Sequence, residues 1–167
     1  MIDAGTPNRS DVYKLIKRVA TDIGCVKVIR GFHQPKRNAL AAEYPLMAVI
    51  FDDPDDDENH SSGGRTEIGI AACHLWVKEG TPSQADDLEG VWGKVDAMAR
   101  AFKDRLDHIN PAQGVTGSDL IIKPKRGQRD FFLREEAPFG CELEIEYTLH
   151  TIPPAAQSPG EINILND

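Results

Sequence analysis

The residues in this chain that could do chemistry are carboxylates, imidazoles and thiols, and their spacing decides which chemistry is open to them. Asp52, Asp53, Asp55, Asp56, Asp57 and Glu58 form one acidic run in which Asp53, Asp55 and Asp57 alternate as calcium ligands do. An EF-hand loop also needs Gly at its sixth position and a bidentate Glu at its twelfth, and here those places hold Glu58 and Gly64. The run therefore reads as a solvated loop over Asp52 to Gly64 and not as a metal site. His33, His60, His74, His108 and His150 show no paired metal-ligand spacing, and none stands in a nucleophile motif. Cys73 and His74 are adjacent on a predicted strand, so they point to opposite faces and form no dyad; His74 reads as a core or interface histidine. Ser61 to Arg65, SSGGR, lacks the lysine and following helix of a phosphate loop. No catalytic set, metal site or cofactor site emerges.

The strongest pattern is the alternation from Gly140 to Ile152, GCELEIEYTLHTI. Cys141, Leu143, Ile145, Tyr147 and Leu149 share one face of a strand, and Glu142, Glu144, Glu146, Thr148 and His150 share the other. Side chains on one face recur about every 6.8 Å, so the glutamates form an acidic ladder that must meet water, a channel or a basic partner. Reversing all three to Lys is expected to leave the fold largely intact.

A chain of 167 residues with 40% hydrophobic content suits one domain with tails. A net charge of -8 argues against a dedicated binder of nucleic acid or anionic membrane. Cys25, Cys73 and Cys141 are odd in number, widely spaced and placed in predicted strands, which fits buried free thiols in a reducing compartment. The first residues lack a basic region followed by an apolar one, and no window approaches a membrane span, so a soluble protein is expected.

The elements that must position these groups follow from periodicity. A helix is predicted from Asp11 to about Ile23 behind Ser10 as cap, closed by Gly24. Strands follow at Cys25 to Gly31 and Tyr44 to Phe51, the latter apolar throughout and the expected centre of the sheet. A long strand spans Thr66 to Lys78, with Ile68, Ile70, Ala72, His74 and Trp76 on one face. Thr81, Pro82 and Gln84 predict the start of a long helix with an apolar stripe of Leu88, Val91, Trp92, Val95, Met98, Phe102, Leu106 and Ile109. Trp76, Trp92 and Phe102 all read as core. Asp119 to Lys123 and Phe131 to Arg134 read as short partner strands flanking a basic tip, KPKRGQRD. Residues 1–9 and 153–167 read as flexible, the latter ending in an apolar patch of Ile162, Ile164 and Leu165.

The basic segment with Lys123, Lys125, Arg126 and Arg129 stands out in an acidic chain. It reads either as a solvated hairpin tip or as a contact to something acidic, most economically the 52–58 run of another copy paired head to tail. The terminal apolar patch could likewise add to a neighbour's sheet edge.

The order of helix, three strands, long capped helix and further strands ending in a long alternating one resembles the phage tail terminator (tail-completion) proteins and their minor tail protein relatives. The residues that carry the resemblance are YPLMAVIF, the strand ending HLWVKEG, the helix SQADDLEGVWGKVDAMARAFKDRL and the closing GCELEIEYTLHTIP, within residues 10–152. The resemblance implies an α+β fold, a mixed and mainly antiparallel sheet with two principal helices packed on one face. It implies a structural virion protein and no enzyme: a homohexameric ring at the head-proximal end of the tail tube, assembled in the host cytoplasm, that stops tube growth and joins the tail to a head-completion or connector protein. DNA would pass through the lumen without specific binding, and no cofactor or membrane is implied. On this reading Glu142, Glu144 and Glu146 face the lumen or rim. Asp53, Asp55, Asp56, Asp57, Lys123, Lys125, Arg126, Arg129, Ile162, Ile164 and Leu165 make subunit or partner contacts. The alternatives are another head-tail connector or tube-like virion protein, a small metal-dependent hydrolase or transferase using the 52–58 carboxylates, and a peptide-binding adaptor.

Overall fold

The computed structural model describes residues 8–33, 41–52, 56–59, 65–78, 85–109, 120–132 and 139–151. Its elements are α1 (Arg9–Asp22), β1 (Lys27–Arg30), a single 3-10 turn (Ala41–Glu43), β2 (Leu46–Phe51), β3 (Asp56–Asn59), β4 (Arg65–Val77), α2 (Ala85–His108), β5 (Leu120–Phe132) and β6 (Phe139–Thr151).

α1 begins two residues earlier than its apolar period suggests. The Asn8 side chain accepts from the backbone N–H groups of Ser10 (2.8 Å) and Asp11 (3.3 Å), and the Asp11 carboxylate accepts from the Asn8 backbone N–H at 2.8 Å. This reciprocal box satisfies more of the open helix N–H groups than Ser10 could alone, so Asn8 is the cap. Gly24, at φ 106°, ends the helix as expected: its N–H donates to the Thr21 carbonyl and that of Cys25 to the Ala20 carbonyl. Asn8→Ala is expected to cost about 1 kcal/mol while Ser10→Ala stays within roughly 0.5 kcal/mol, as read by urea unfolding. Equal losses at the two positions would remove the Asn8 cap.

Six strands form one sheet in the order β1-β2-β4-β6-β5, with β3 also paired to β4; β1 and β2 run parallel and every other pair antiparallel. The centre is β4, not the apolar β2. All thirteen residues of β4 pair with β6 on one side, while β2 and β3 share its other side end to end. β2 is apolar throughout because both of its faces are covered, Met47 and Val49 by the helices and Leu46 and Ala48 by a second small cluster.

Two segments expected to be loops are strands. Asp56–Asn59 pair with Arg65–Ile68, and between β2 and β3 the Asp52 N–H donates to the Ile70 carbonyl at 3.1 Å. Aspartate is a poor strand former, but the long β4 template overrides that preference. The basic segment is no hairpin tip either. β5 runs through it and pairs with β6 on both sides of a register shift between Pro124 and Gln128. Pro124 and Gly127 look like turn residues in the sequence, yet here they sit in a bulge on an edge strand, where a missing N–H is tolerated.

Both helices pack on one face of the sheet. Val12, Ile16 and Val19 of α1 and Val95, Phe102 and Leu106 of α2 meet Met47, Val49, Cys73, Leu75, Leu143, Ile145 and Tyr147 in one core. The fold is thus α+β, with a mixed, mainly antiparallel sheet and two helices on one side. On the other face Trp76 is buried with Tyr44, Leu46 and Ala48, away from the helices. Trp92 is not core: it is 49% exposed, although its ring lies 5.7 Å from that of Phe139. Phe102 is fully buried. Thr81, Pro82 and Gln84 lie outside the described residues.

Candidate functional site

The pleat of β6 sends Cys141, Leu143, Ile145, Tyr147 and Leu149 into the core and leaves Glu142, Glu144, Glu146, Thr148 and His150 half-buried on the face turned from the helices. Register then decides what the ladder meets. Toward β4, Glu142 lies opposite His74, Glu144 opposite Ala72 and Glu146 opposite Ile70. Toward β5, Glu146 lies opposite Lys123 and Glu142 opposite Arg129.

The basic partner that the ladder needs is therefore supplied largely by its own chain. Lys125 Nζ stands 3.6 Å from Glu144 Oε2, and His74 Nε2 stands 2.8 Å from Glu142 Oε2. The first pair is substantially exposed and is worth under about 1 kcal/mol. The second holds a buried imidazole and is the stronger, in the range of about 1.5–3 kcal/mol for a hydrogen bond to a charged group. Farther along, His150 Nδ1 and Thr66 Oγ1 share a hydrogen bond of 3.0 Å.

A second group borders the ladder where the chain leaves β1 and enters β2. The Phe32 ring, 73% exposed, meets the His74 ring edge-on at 6.3 Å, and His33 bonds Tyr44 Oη at 3.1 Å beside Trp76. Burial, followed by the charge of Lys27, lowers the pKa of His33 against an opposing pull from Glu43. Burial and then Glu43 raise that of Tyr44, so at neutral pH the pair is an uncharged imidazole and a phenol.

His74 with Glu142 is a histidine-carboxylate pair, an arrangement that fixes an imidazole's orientation. Cys73, its neighbour in sequence, faces the helices on the opposite side of the sheet, so no thiol stands at that imidazole. Among the described residues, no group of three or more His, Cys, Asp or Glu is placed to hold a metal ion, and no helix is long and apolar enough to cross a membrane.

The three thiols are buried. Burial pushes Cys25 up to about 12 and raises Cys73 further, with the nearby Cys25 adding to the effect. Because the folded-state values lie above the ordinary 9.0, the stability they contribute is complete below pH 9 and declines as pH rises through the folded values. Between about pH 9 and 12 each such thiol is expected to steepen the loss by about 1.4 kcal/mol per pH unit. Urea midpoints across that range check this, and the slope should shrink in a Cys25→Ala variant.

Of the residues singled out in the sequence, Glu142, Glu144 and Glu146 lie side by side on the uncovered face of β6. Lys123, Lys125, Arg126 and Arg129 lie in β5 beside them. Asp56 and Asp57 lie in β3, across the sheet from β5. Asp53, Asp55, Ile162, Ile164 and Leu165 lie outside the described residues. The partner that the sequence left unassigned is His74: its alternation gives the correct face, but only the β4–β6 register brings it to Glu142.

No protein-family model matches the chain, and no curated protein matches it.

Proposed function

We propose that this chain is a structural virion protein of the tail-terminator type, forming a homohexameric ring at the head-proximal end of a phage tail tube. There it stops tube growth and joins the tail to a head-completion protein. The observation that carries the reading is the division of the sheet. One face is filled by both helices, while the other presents Glu142, Glu144 and Glu146 interleaved with lysines of β5, and among the described residues no thiol stands at the His74–Glu142 pair. A surface of alternating charge and low net charge suits the wall or rim of a passage, because it offers phosphate neither a strong attraction nor a strong barrier. DNA then slides without being held.

The purified chain is expected to give a ring by size-exclusion with light scattering, and the ring to cap tail tubes in negative stain. A species that stays monomeric with and without tubes overturns the proposal. Long cylinders in place of rings would move it to the tube proteins.

A further inference from the structure

The two most strongly charged stretches of this chain lie on opposite edges of one sheet. β3 carries Asp56, Asp57 and Glu58 and pairs with β4 on one side; β5 carries Lys123, Lys125, Arg126 and Arg129 and pairs with β6 on one side. Among the described residues no strand pairs with the other side of either. From these edges we infer that a second copy of this chain docks its basic β5 against the acidic β3, continuing the sheet from subunit to subunit.

Strand direction favours this join. β3 and β6 both run antiparallel to β4, and β5 runs antiparallel to β6, so β5 and β3 point in opposite directions. A neighbour in the same orientation therefore presents its β5 antiparallel to β3, as in an ordinary hairpin ladder. Level in the sheet sets the offset of the join. β3 lies beside Arg65–Ile68, those residues pair with Thr148–Thr151, and Thr148 pairs with Ile121. At equal height Asp57 is level with Leu120, so a neighbour displaced along the strands by three residues sets Lys123 opposite Asp57, ahead of the register shift between Pro124 and Gln128.

Charge excludes the symmetrical alternatives. β3 on β3 brings acid to acid and β5 on β5 brings base to base, and like charges directly opposite destabilise a ladder. The contact is thus heterologous, the kind that closes into a ring when the rotation per subunit allows. The lysines, Pro124 and the bulge discourage promiscuous pairing along β5, so an acidic strand is the partner this edge accepts. The inference rests on the self-assembly contained in the proposed function but not on what the ring caps.

The test is a charge exchange on the full chain, read by sedimentation velocity with circular dichroism as the check on folding. Asp56→Lys, Asp57→Lys and Glu58→Lys together, or Lys123→Glu, Lys125→Glu and Arg126→Glu together, should each weaken assembly at least tenfold. Combining both sets in one chain, or mixing the two variant chains, should restore it. The β5 set also removes the Lys125–Glu144 pair, so a second readout is needed. Mixed Asp57→Cys and Lys123→Cys chains should form an inter-chain disulfide under mild oxidation, since the native thiols are buried. Wild-type assembly in both reversed variants, folded mixtures that stay dissociated, or disulfides joining only like variants would each overturn the edge contact. Rings that ignore these charges yet cap tubes sink this inference alone. Rings that obey them and cap nothing sink the terminator reading alone.

Discussion

Replacing Tyr147 by alanine is expected to lower the free energy of unfolding by about 3–5 kcal/mol, the range for removing a large buried aromatic side chain. The ring is fully buried, meets Phe51 edge-on at 5.9 Å, and directs its hydroxyl to Glu67, which also takes Arg9 at 3.2 Å. It also fills the space over Gly69, its register partner on β4, so closely that a Cβ at position 69 would collide with the phenol. Gly69→Ala alone should therefore cost about 1–3 kcal/mol through overpacking. The same change made on top of Tyr147→Ala should cost much less, because the obstruction is gone. A double-mutant cycle by urea unfolding reads the coupling, expected to be at least about 1 kcal/mol. Simple additivity would show that the tyrosine ring does not own that space.

The simultaneous change of Glu142, Glu144 and Glu146 to Lys is the second large effect. Treated as a free ladder, the three glutamates could be reversed with the fold largely intact; their contacts in the structure lead to a different outcome. His74 would lose the carboxylate 2.8 Å away, Lys125 its partner at 3.6 Å, and three new cations would face a strand that already carries Lys123, Lys125 and Arg129. Adding one charged hydrogen bond at about 1.5–3 kcal/mol to three cross-strand terms of about 0.2–1 kcal/mol each gives a total loss of about 2–6 kcal/mol. The matched change to Gln, which keeps an acceptor for His74, should cost less than half as much. Thermal unfolding in low and high salt separates the parts, since salt screens the ladder repulsion but does not restore the His74 bond. A Lys variant as stable as wild type at low salt would show that the glutamates are not engaged by β5 and β4.

The alternation of β6 and β4 was legible residue by residue, because a period of two assigns faces without reference to neighbours. The period of two sets His74 on one face with Ile68, Ile70, Ala72 and Trp76, and the helix period assigns the buried Val91, Val95, Met98, Phe102 and Leu106 but not the exposed Trp92. What local pattern could not supply is pairing. Nothing near Lys123 or Lys125 in the sequence says that the strand beside them is β6, and Pro124 and Gly127 carry turn signals that an edge bulge absorbs. For the same reason Asp56–Asn59 read as loop: their strand character comes from Arg65–Ile68 and not from themselves. The centre of the sheet was misassigned because double coverage and central position usually go together, whereas β2 gains its second cover from Tyr44 and Trp76. The candidate site was half visible, as a row of acids without the residues that answer them.

The pairing of β4 with β6 also bears on how the chain is made. Thr66 and His150 meet across the sheet although 84 residues separate them, and all of α2 and β5 is synthesised in between. While the chain is growing on the ribosome, β4 can zip only with the strands that precede it, and its other edge stays open until the last strand of this sheet emerges. Contacts of such sequence separation are slow to close, so β6 sets the moment at which the nascent sheet stops being a template for stray strands. Its glutamates then act while the chain is still growing, keeping a long, otherwise apolar segment soluble until β4 receives it.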